Sequence, residues 1–250
     1  LSIHNMVAWM VDRFGDDVQR ARFLPRLASM EAFASYALTE PGAGSDAASL
    51  RTKAVRDGDA YVLDGTKSFI SGGGRSDLYL VMARTGAAGP KGITAFLIEA
   101  GTPGLSCGAQ EAKMGWNSQP TSEVRFDGCR VPAGNRLGAE GEGFAIAMAG
   151  LDGGRVNIAA CSLGGAAAAL DQARAYVGER EQFGRPLAAF QTTQFKLADM
   201  ATELEAARLM TWRAASALDA VEPERTTACA MAKRFATDAG FRIVDEALQL

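Results

Sequence analysis

The chain changes character near Glu142, and that change limits what it can fold into. Before it, short runs with strand propensity alternate with glycine-marked turns. After it, Ala, Leu, Met and Glu dominate, and apolar residues recur at helical spacing. Candidate strands cover 34–39, 50–56, 60–70, 78–84, 93–99 and 121–127, separated by turns such as Asp57-Gly58, Gly72-Gly73-Gly74 and Asp127-Gly128. Short strands with no helices between them suggest an antiparallel barrel or sandwich. Long helices are predicted over 142–179, 188–220 and 224–250, with short connections at Gly178 to Pro186 and at Glu222-Pro223. Such an arrangement is a bundle. Residues 1–32 read as helical pieces: Gly15-Asp16-Asp17 supplies a stop and a new N-cap, and Pro25 interrupts the second piece. The expected class is therefore α+β. Residues 1–32 would end an N-terminal helical domain, 33–135 form the β domain flanked by helices, and 136–250 form a truncated up-down four-helix bundle.

Both ends read as cut, since the chain opens at Leu1 inside a helix-like run and closes at Leu250 within an amphipathic pattern. With 250 residues there is material for real cores, and 48% hydrophobic against 22% charged residues fits a globular protein. Lys+Arg 26 against Asp+Glu 29 lacks the basic excess of a nucleic-acid binder. No apolar run is long enough to span a bilayer, so no membrane partner is expected. Cys107, Cys129, Cys161 and Cys229 have neither metal nor redox spacing, and His4 is the only histidine. No metal site is expected, and a Ser-His-Asp triad would have to use His4, which sits on an apolar helical stretch.

The stretch with the most chemistry is Tyr36-Ala37-Leu38-Thr39-Glu40-Pro41-Gly42-Ala43-Gly44-Ser45-Asp46. An apolar strand runs into a Pro/Gly turn, where backbone N–H groups lack ladder partners. Gly42 and Gly44 have no Cβ to hold another molecule away, and Thr39 and Ser45 add hydroxyls. The loop suits a flat, acceptor-rich ligand with phosphates nearby. Gly42-x-Gly44-x-x-Ala47 also satisfies the loose dinucleotide fingerprint, which needs a helix opening inside it and a βαβ unit around it. A further strand follows instead. An ordinary glycine-rich turn is the plainest alternative.

Leu38-Thr39-Glu40-Pro41-Gly42-Ala43-Gly44-Ser45-Asp46 resembles the first signature of the acyl-CoA dehydrogenase family, flavoenzymes that desaturate acyl-CoA thioesters. The resemblance makes Tyr36, Ala37, Leu38, Thr39, Glu40, Pro41, Gly42, Ala43, Gly44 and Ser45 contacts of FAD, and Ser45 a substrate contact as well. Glu40 is expected to be structural. Lys67-Ser68-Phe69-Ile70-Ser71-Gly72-Gly73 ends a strand in glycines, and taken alone Phe69 reads as core. The family places an aromatic and a hydroxyl two residues apart against the flavin ring; here these are Phe69 and Ser71, with Ile70 between them. Many members carry Trp and Thr there. Lys113 to Thr121 reads as a surface loop anchored by Trp116, and its wording Gly115-Trp116-Asn117-Ser118-Gln119-Pro120-Thr121 is similar to that of isobutyryl-CoA dehydrogenases.

Gly153 and Gly154 lie inside a predicted helix at about 1 kcal/mol each relative to Ala. Either close helix packing or room for a ligand would account for them. The resemblance makes Asp152, Gly153, Gly154 and Arg155 the substrate-lining stretch. Some relatives carry the catalytic Glu at the position of Gly154, so this helix offers no base. Arg180-Glu181-Gln182-Phe183-Gly184-Arg185-Pro186 reads as a charged turn between helices. The family uses its Arg-x-x-Phe-Gly to reach the FAD of a neighbouring subunit, which assigns Arg180, and a following Phe190-Gln191 that also touches FAD. Arg suits phosphate because its guanidinium donates forked hydrogen bonds.

The reaction implied is removal of the α-proton of an acyl-CoA by a carboxylate and transfer of a β-hydride to FAD, giving a 2-enoyl-CoA. Isobutyryl-CoA is the first substrate expected, with straight short-chain acyl-CoA as the alternative. The base Glu is expected beyond Leu250, and this chain alone is expected to be inactive or nearly so. A non-catalytic acyl-CoA or flavin scaffold is the other reading. Electron-transfer flavoprotein as acceptor, a homotetramer, and a cytoplasmic or mitochondrial-matrix location complete what the resemblance implies.

Overall fold

In the computed structural model, which describes residues 1–250, Gly15 caps the end of one helix and Asp16 caps the start of the next. Helix α1 is Ser2–Phe14 and α2 is Asp17–Ala28. The Asp16 carboxylate accepts from the Gln19 amide at 2.8 Å, and Gln19 Oε1 accepts from the Asp16 amide at 3.2 Å, closing a capping box. Pro25 lies inside α2 and does not interrupt it. It sits in the last turn, so only one intrahelical bond is forfeited. The chain divides into two units, Leu1–Gly150 and Leu151–Leu250.

The first unit is built on one eight-stranded sheet. Its strands are β1 (Ala34–Ala37), β2 (Lys53–Asp57), β3 (Ala60–Ser71), β4 (Leu78–Arg84), β5 (Ile93–Glu99), β6 (Leu105–Gln110), β7 (Thr121–Pro132) and β8 (Arg136–Leu137). The order is β6-β7-β3-β2-β4-β5-β8, with β1 beside β4. The sheet is open and mixed: β1 runs parallel to β4, whereas the other long pairings are antiparallel. A closed antiparallel barrel is thus too narrow a description. Strand β6 was invisible to the pattern because Ser106, Cys107 and Gly108 break its propensity; it is an edge strand whose pairing slips between Cys107 and Gln110. Tyr61, Tyr79, Phe96, Ile98, Val124 and Phe126 fill the core on one face, with Tyr61 and Phe96 edge to face at 4.9 Å.

One topological detail positions the candidate site. Strand β1 occupies the edge of β4 as far as Ala37 opposite Val81, and β2 takes over the same edge at Lys53 opposite Arg84. Residues 38–52 are the excursion between these two stretches of pairing. The far end of β3 leaves β2 after Asp64 and continues beside β7 to Ser71. The loop therefore emerges where neighbouring strands part.

The second unit holds α3 from residue 151 onward (the whole helix is Gly143–Glu179), α4 (Gln191–Asp219) and α5 (Arg225–Gln249). Packing proceeds in layers: Leu170, Leu204 and Ile243, then Ala159, Ala207, Ala236 and Ala239, then Ala214, Cys229 and Ala232. The order of residue numbers through those layers gives an up-down-up path. Between α3 and α4 lies a small hairpin, β9 (Glu181–Gln182) against β10 (Arg185–Pro186). Phe183 (φ 55°) and Gly184 (φ 72°) form its two-residue turn, both left-handed as a type I′ turn requires.

Candidate functional site

Within the loop, Glu40 and Ala43 exchange backbone hydrogen bonds at 3.1 Å each and close a turn over Pro41-Gly42. The side chain of Glu40 turns inward. Its carboxylate accepts from the amides of Arg51 (2.6 Å) and Thr52 (3.0 Å) and from Lys67 Nζ (2.8 Å). Lys67 is fully buried, and its ammonium also donates to the Leu38 carbonyl at 3.0 Å. The Ser68 amide reaches the Thr39 carbonyl at 2.9 Å. One buried ion pair thus ties the end of β1, the approach to β2 and the far part of β3. Burial pulls the Lys67 ammonium down to about 8 against the opposing pull of Glu40. Burial also pushes the Glu40 carboxyl up, but the charge and hydrogen bond of Lys67, helped by the Arg51 amide, outweigh it and hold the carboxyl below its ordinary value.

Two residues beyond Lys67, Phe69 stands at φ 57° with 67% of its surface exposed. The core reading of Phe69 is therefore wrong. A bulky side chain held left-handed and offered to solvent is a backbone outlier, a state it shares with Trp116 and Phe183. The β3–β7 register shifts between Lys67 and Ile70, which is where Phe69 is turned out. Ser71 is half-buried, and its carbonyl accepts from Ser35 Oγ at 2.6 Å.

The glycines here divide into two kinds. A Cβ on Gly72 would lie 2.4 Å from Ser76 Oγ and 2.5 Å from Ser35 Oγ, and one on Gly73 would lie 2.4 Å from Ser122 Oγ, so the chain's own packing demands both. Gly42 and Gly44 have nothing within 4 Å of a Cβ, and neither has positive φ. Nothing inside the molecule crowds them, so their backbone is open to close approach. Of the remaining loop residues, Ala37, Leu38, Glu40 and Ala43 are buried, as is Ile70; Tyr36 and Thr39 are half-buried, and Pro41 and Ser45 are exposed. The Tyr36 hydroxyl is buried without a hydrogen-bond partner, and burial holds its phenol well above the usual range. A buried orphan hydroxyl is a group waiting for a partner.

After Ser45 comes a single 3-10 turn, Ala47–Ser49, and then β2. The loop opens no crossover helix, and the nicotinamide-binding reading fails. Arg84 fixes this segment by donating to the carbonyls of Leu50 (3.0 Å), Ala48 (2.7 Å), Ala87 (2.6 Å) and Gly89 (3.1 Å). His4 is buried between the Leu27 carbonyl (3.0 Å) and the Ala34 amide (3.1 Å) and has no ring nitrogen free for catalysis. No group of His, Cys, Asp and Glu is arranged to hold a metal, and the cysteines are free thiols.

In the helical unit, Asp152 is buried, ion-paired to Arg155 one turn along, and accepts from Thr226 Oγ1 at 2.7 Å. A Cβ on Gly153 would meet nothing within 4 Å, so close helix packing does not account for that residue. Arg180 is exposed at the end of α3, where its carbonyl accepts from the Leu187 amide at 2.8 Å. Phe190 packs against the Phe183 ring at 6.1 Å and lies under the Arg185 guanidinium at 4.1 Å; Gln191, the first residue of α4, is exposed.

The middle-domain model of acyl-CoA dehydrogenases matches residues 35–129, and the C-terminal-domain model matches residues 141–250. The chain belongs to the acyl-CoA dehydrogenase family. Members of this family are FAD-dependent oxidoreductases. The chain is 58% identical, over its whole length, to the mitochondrial isobutyryl-CoA dehydrogenase of Dictyostelium discoideum, and spans 60% of that relative. It superposes on butyryl-CoA dehydrogenase from Megasphaera elsdenii with a TM-score of 0.95 at 45% identity, covering 98% of this chain and 64% of that one. A solved structure of the electron transferring flavoprotein of Acidaminococcus fermentans holds a chain that matches with a TM-score of 0.96 at 44% identity, covering 99% of this chain and 66% of that one.

The residues present fit the family's cofactor. A ring face at Phe69, glycines with open space above them, and the unpartnered Tyr36 hydroxyl suit a flat group rich in acceptors. No motif in the sequence marks Lys67 and Arg84 as the residues that hold the loop. A lysine in mid-strand, at a position that alternation turns inward from Tyr61 and Leu63, was the available signal for the first.

Proposed function

We propose that the protein catalyses flavin-dependent α,β-dehydrogenation of a short branched acyl-CoA, isobutyryl-CoA first. The observation that carries this is Phe69, a left-handed, solvent-facing aromatic beside a loop whose glycines the fold does not require. When bound, FAD supplies the two-electron acceptor for the hydride leaving the substrate β-carbon. The backbone of 38–45 cradles the cofactor, Phe69 offers a ring face to its flavin, and the Ser71 hydroxyl is a hydrogen-bond partner near it. Arg180, Phe190 and Gln191 engage the FAD of a neighbouring subunit, with the guanidinium on its phosphates. Ser45 and the stretch Asp152, Gly153, Gly154 and Arg155 line the acyl-CoA. The empty space around Gly153 would admit a branch at the α-carbon, and the 58% identity to an isobutyryl-CoA dehydrogenase favours the same choice.

The α-proton goes to a glutamate, with its pKa raised by burial, which we place after Leu250 in the full-length protein. Glu40 is fully committed to Lys67 and two backbone amides and is not that base. Electron-transfer flavoprotein is the proposed acceptor of the electrons. The proposed assembly is a homotetramer; a cofactor shared between subunits requires at least a second copy. No helix is long and apolar enough to cross a membrane. We place the protein in the mitochondrial matrix if its source is eukaryotic and in the cytoplasm if bacterial.

Anaerobic titration of full-length protein with isobutyryl-, butyryl- and isovaleryl-CoA, followed by loss of flavin absorbance, tests the proposal. Fastest bleaching by isobutyryl-CoA is expected. Equal rates discard the branched preference, and protein that carries flavin but is never bleached is the non-catalytic scaffold.

A further inference from the structure

A buried ion pair is a poor stabiliser. Removing two charges from water offsets most of their attraction, and apolar replacements of similar size are often as stable. A fully buried lysine bound to a carboxylate therefore asks for a reason other than stability. Each hydrogen bond of the Glu40–Lys67 pair ends on a different part of one small region. Lys67 Nζ holds the Leu38 carbonyl at 3.0 Å and Glu40 at 2.8 Å; Glu40 holds the amides of Arg51 and Thr52. Leu38 is the first residue after β1, Arg51 and Thr52 the last before β2, and Lys67 lies two residues before Phe69. These are the places where β1, β2 and β3 part, and no strand ladder sets their separation there.

We propose that Glu40 and Lys67 are positioning residues for the flavin site: their pair sets the spacing between the Thr39–Ser45 loop and the Phe69 platform. The inference rests on the flavin reading above, and its test separates the two. An apolar pair would fill the volume but leave the Ser68–Thr39 backbone bond alone to hold the loop against the end of β3, since dispersion carries no direction. Charge-assisted hydrogen bonds from one ammonium and one carboxylate fix both distance and angle. The pair acts through the loop and never touches the reacting atoms.

The test uses full-length protein carrying Glu40→Gln together with Lys67→Met. Gln keeps an oxygen for one of the Arg51 and Thr52 amides, which donate to different oxygens of Glu40, and removing both charges leaves neither buried alone. Wild-type and variant apoprotein are titrated with FAD, read by quenching of flavin fluorescence, and hydrogen exchange is followed at the Arg51, Thr52 and Ser68 amides. The expected result is a melting temperature of the apoprotein within a few degrees of wild type, FAD affinity lower by tenfold or more, and faster exchange at those amides alone. Unchanged FAD affinity in a folded variant overturns the positioning role. A variant that fails to fold also overturns it, because the pair is then a stability device. Wild-type apoprotein that takes up no FAD overturns the flavin reading itself, and this role with it.

Discussion

The two units solve the packing problem in opposite ways. The β-rich unit buries its largest side chains, among them Tyr61, Tyr79, Phe96, Met82 and Ile93, and ties its loops with buried polar groups. The helical unit buries alanines: Ala159, Ala207, Ala214, Ala217, Ala232, Ala236 and Ala239 lie inside, while Phe183, Phe195, Trp212, Phe241 and Leu248 are exposed. Small residues bring helix axes close, and an exposed stripe such as Phe241, Val244 and Leu248 at helical spacing on α5 is a surface with something still to bury. The first unit spends its apolar area on itself and keeps its polar bonds for shaping one loop. The second leaves apolar area exposed, and because the chain spans 60% of its relative, that area is open to further segments of the full-length protein as well as to other copies.

The contrast breaks most readily at the ion pairs. Lys67→Met alone leaves a buried carboxylate unpaired and is expected to lower stability by about 3–5 kcal/mol in urea unfolding. The counterpart in the helical unit is Lys196 with Glu246, 2.5 Å apart but only half-buried on both sides. Lys196→Met should cost less than about 1 kcal/mol. Equal losses would erase the distinction between a loop-setting pair and a surface pair. Acid adds a signed test. The folded-state pKa of Glu40 lies below its unfolded value, so the unfolded chain binds the proton more readily. Its stabilising contribution is present above the unfolded value of 4.5 and is lost as pH falls through the lower folded value. Wild type should thus lose more stability on acidification below that point than the Glu40→Gln, Lys67→Met double variant; parallel pH curves would refute the shift.

That pair also marks how far the sequence could be read. The switch at Glu142, the three long helices and the strands from Leu78 and Ile93 were legible because Ala, Leu, Met and Glu mark the helices and uninterrupted apolar runs bounded by turns mark those two strands. The parallel pairing of β1 with β4 and the slip in β6 were not, because pairing partners are set by tertiary contacts that local propensity does not encode. The loop at 38–46 was legible from Pro and Gly alone. Its inward partner was not, because a lysine in a strand ordinarily faces water, and only the fold brings Nζ to a carboxylate 27 positions away. Phe69 fails for the opposite reason: its type says core, and a left-handed backbone turns it outward.

Smaller effects sharpen the difference between alanine core and apolar surface. Ala236→Leu places extra methyl and methylene groups where helices touch and should destabilise by about 1–3 kcal/mol. Phe241→Ser, at a position 76% exposed, should change the stability of a single chain by less than about 0.5 kcal/mol. In full-length protein it should nonetheless shift sedimentation toward smaller species. A fully assembled Phe241→Ser protein would mean that this stripe meets no second copy.

The change in stability expected at Phe69 is also small, and it isolates the site from the fold. The left-handed conformation costs a bulky residue about 1–2 kcal/mol, which glycine escapes. Glycine in turn loses about 0.5–1 kcal/mol through the greater freedom of its unfolded chain. With 67% of its surface exposed, the ring has little burial to forfeit. Phe69→Gly apoprotein should therefore unfold within about 1 kcal/mol of wild type, on either side, while its FAD affinity falls. A conformation that the fold would be as stable without is one kept for a ligand. Loss of several kcal/mol in the apoprotein would instead make Phe69 a packing residue and remove the observation on which the flavin site rests.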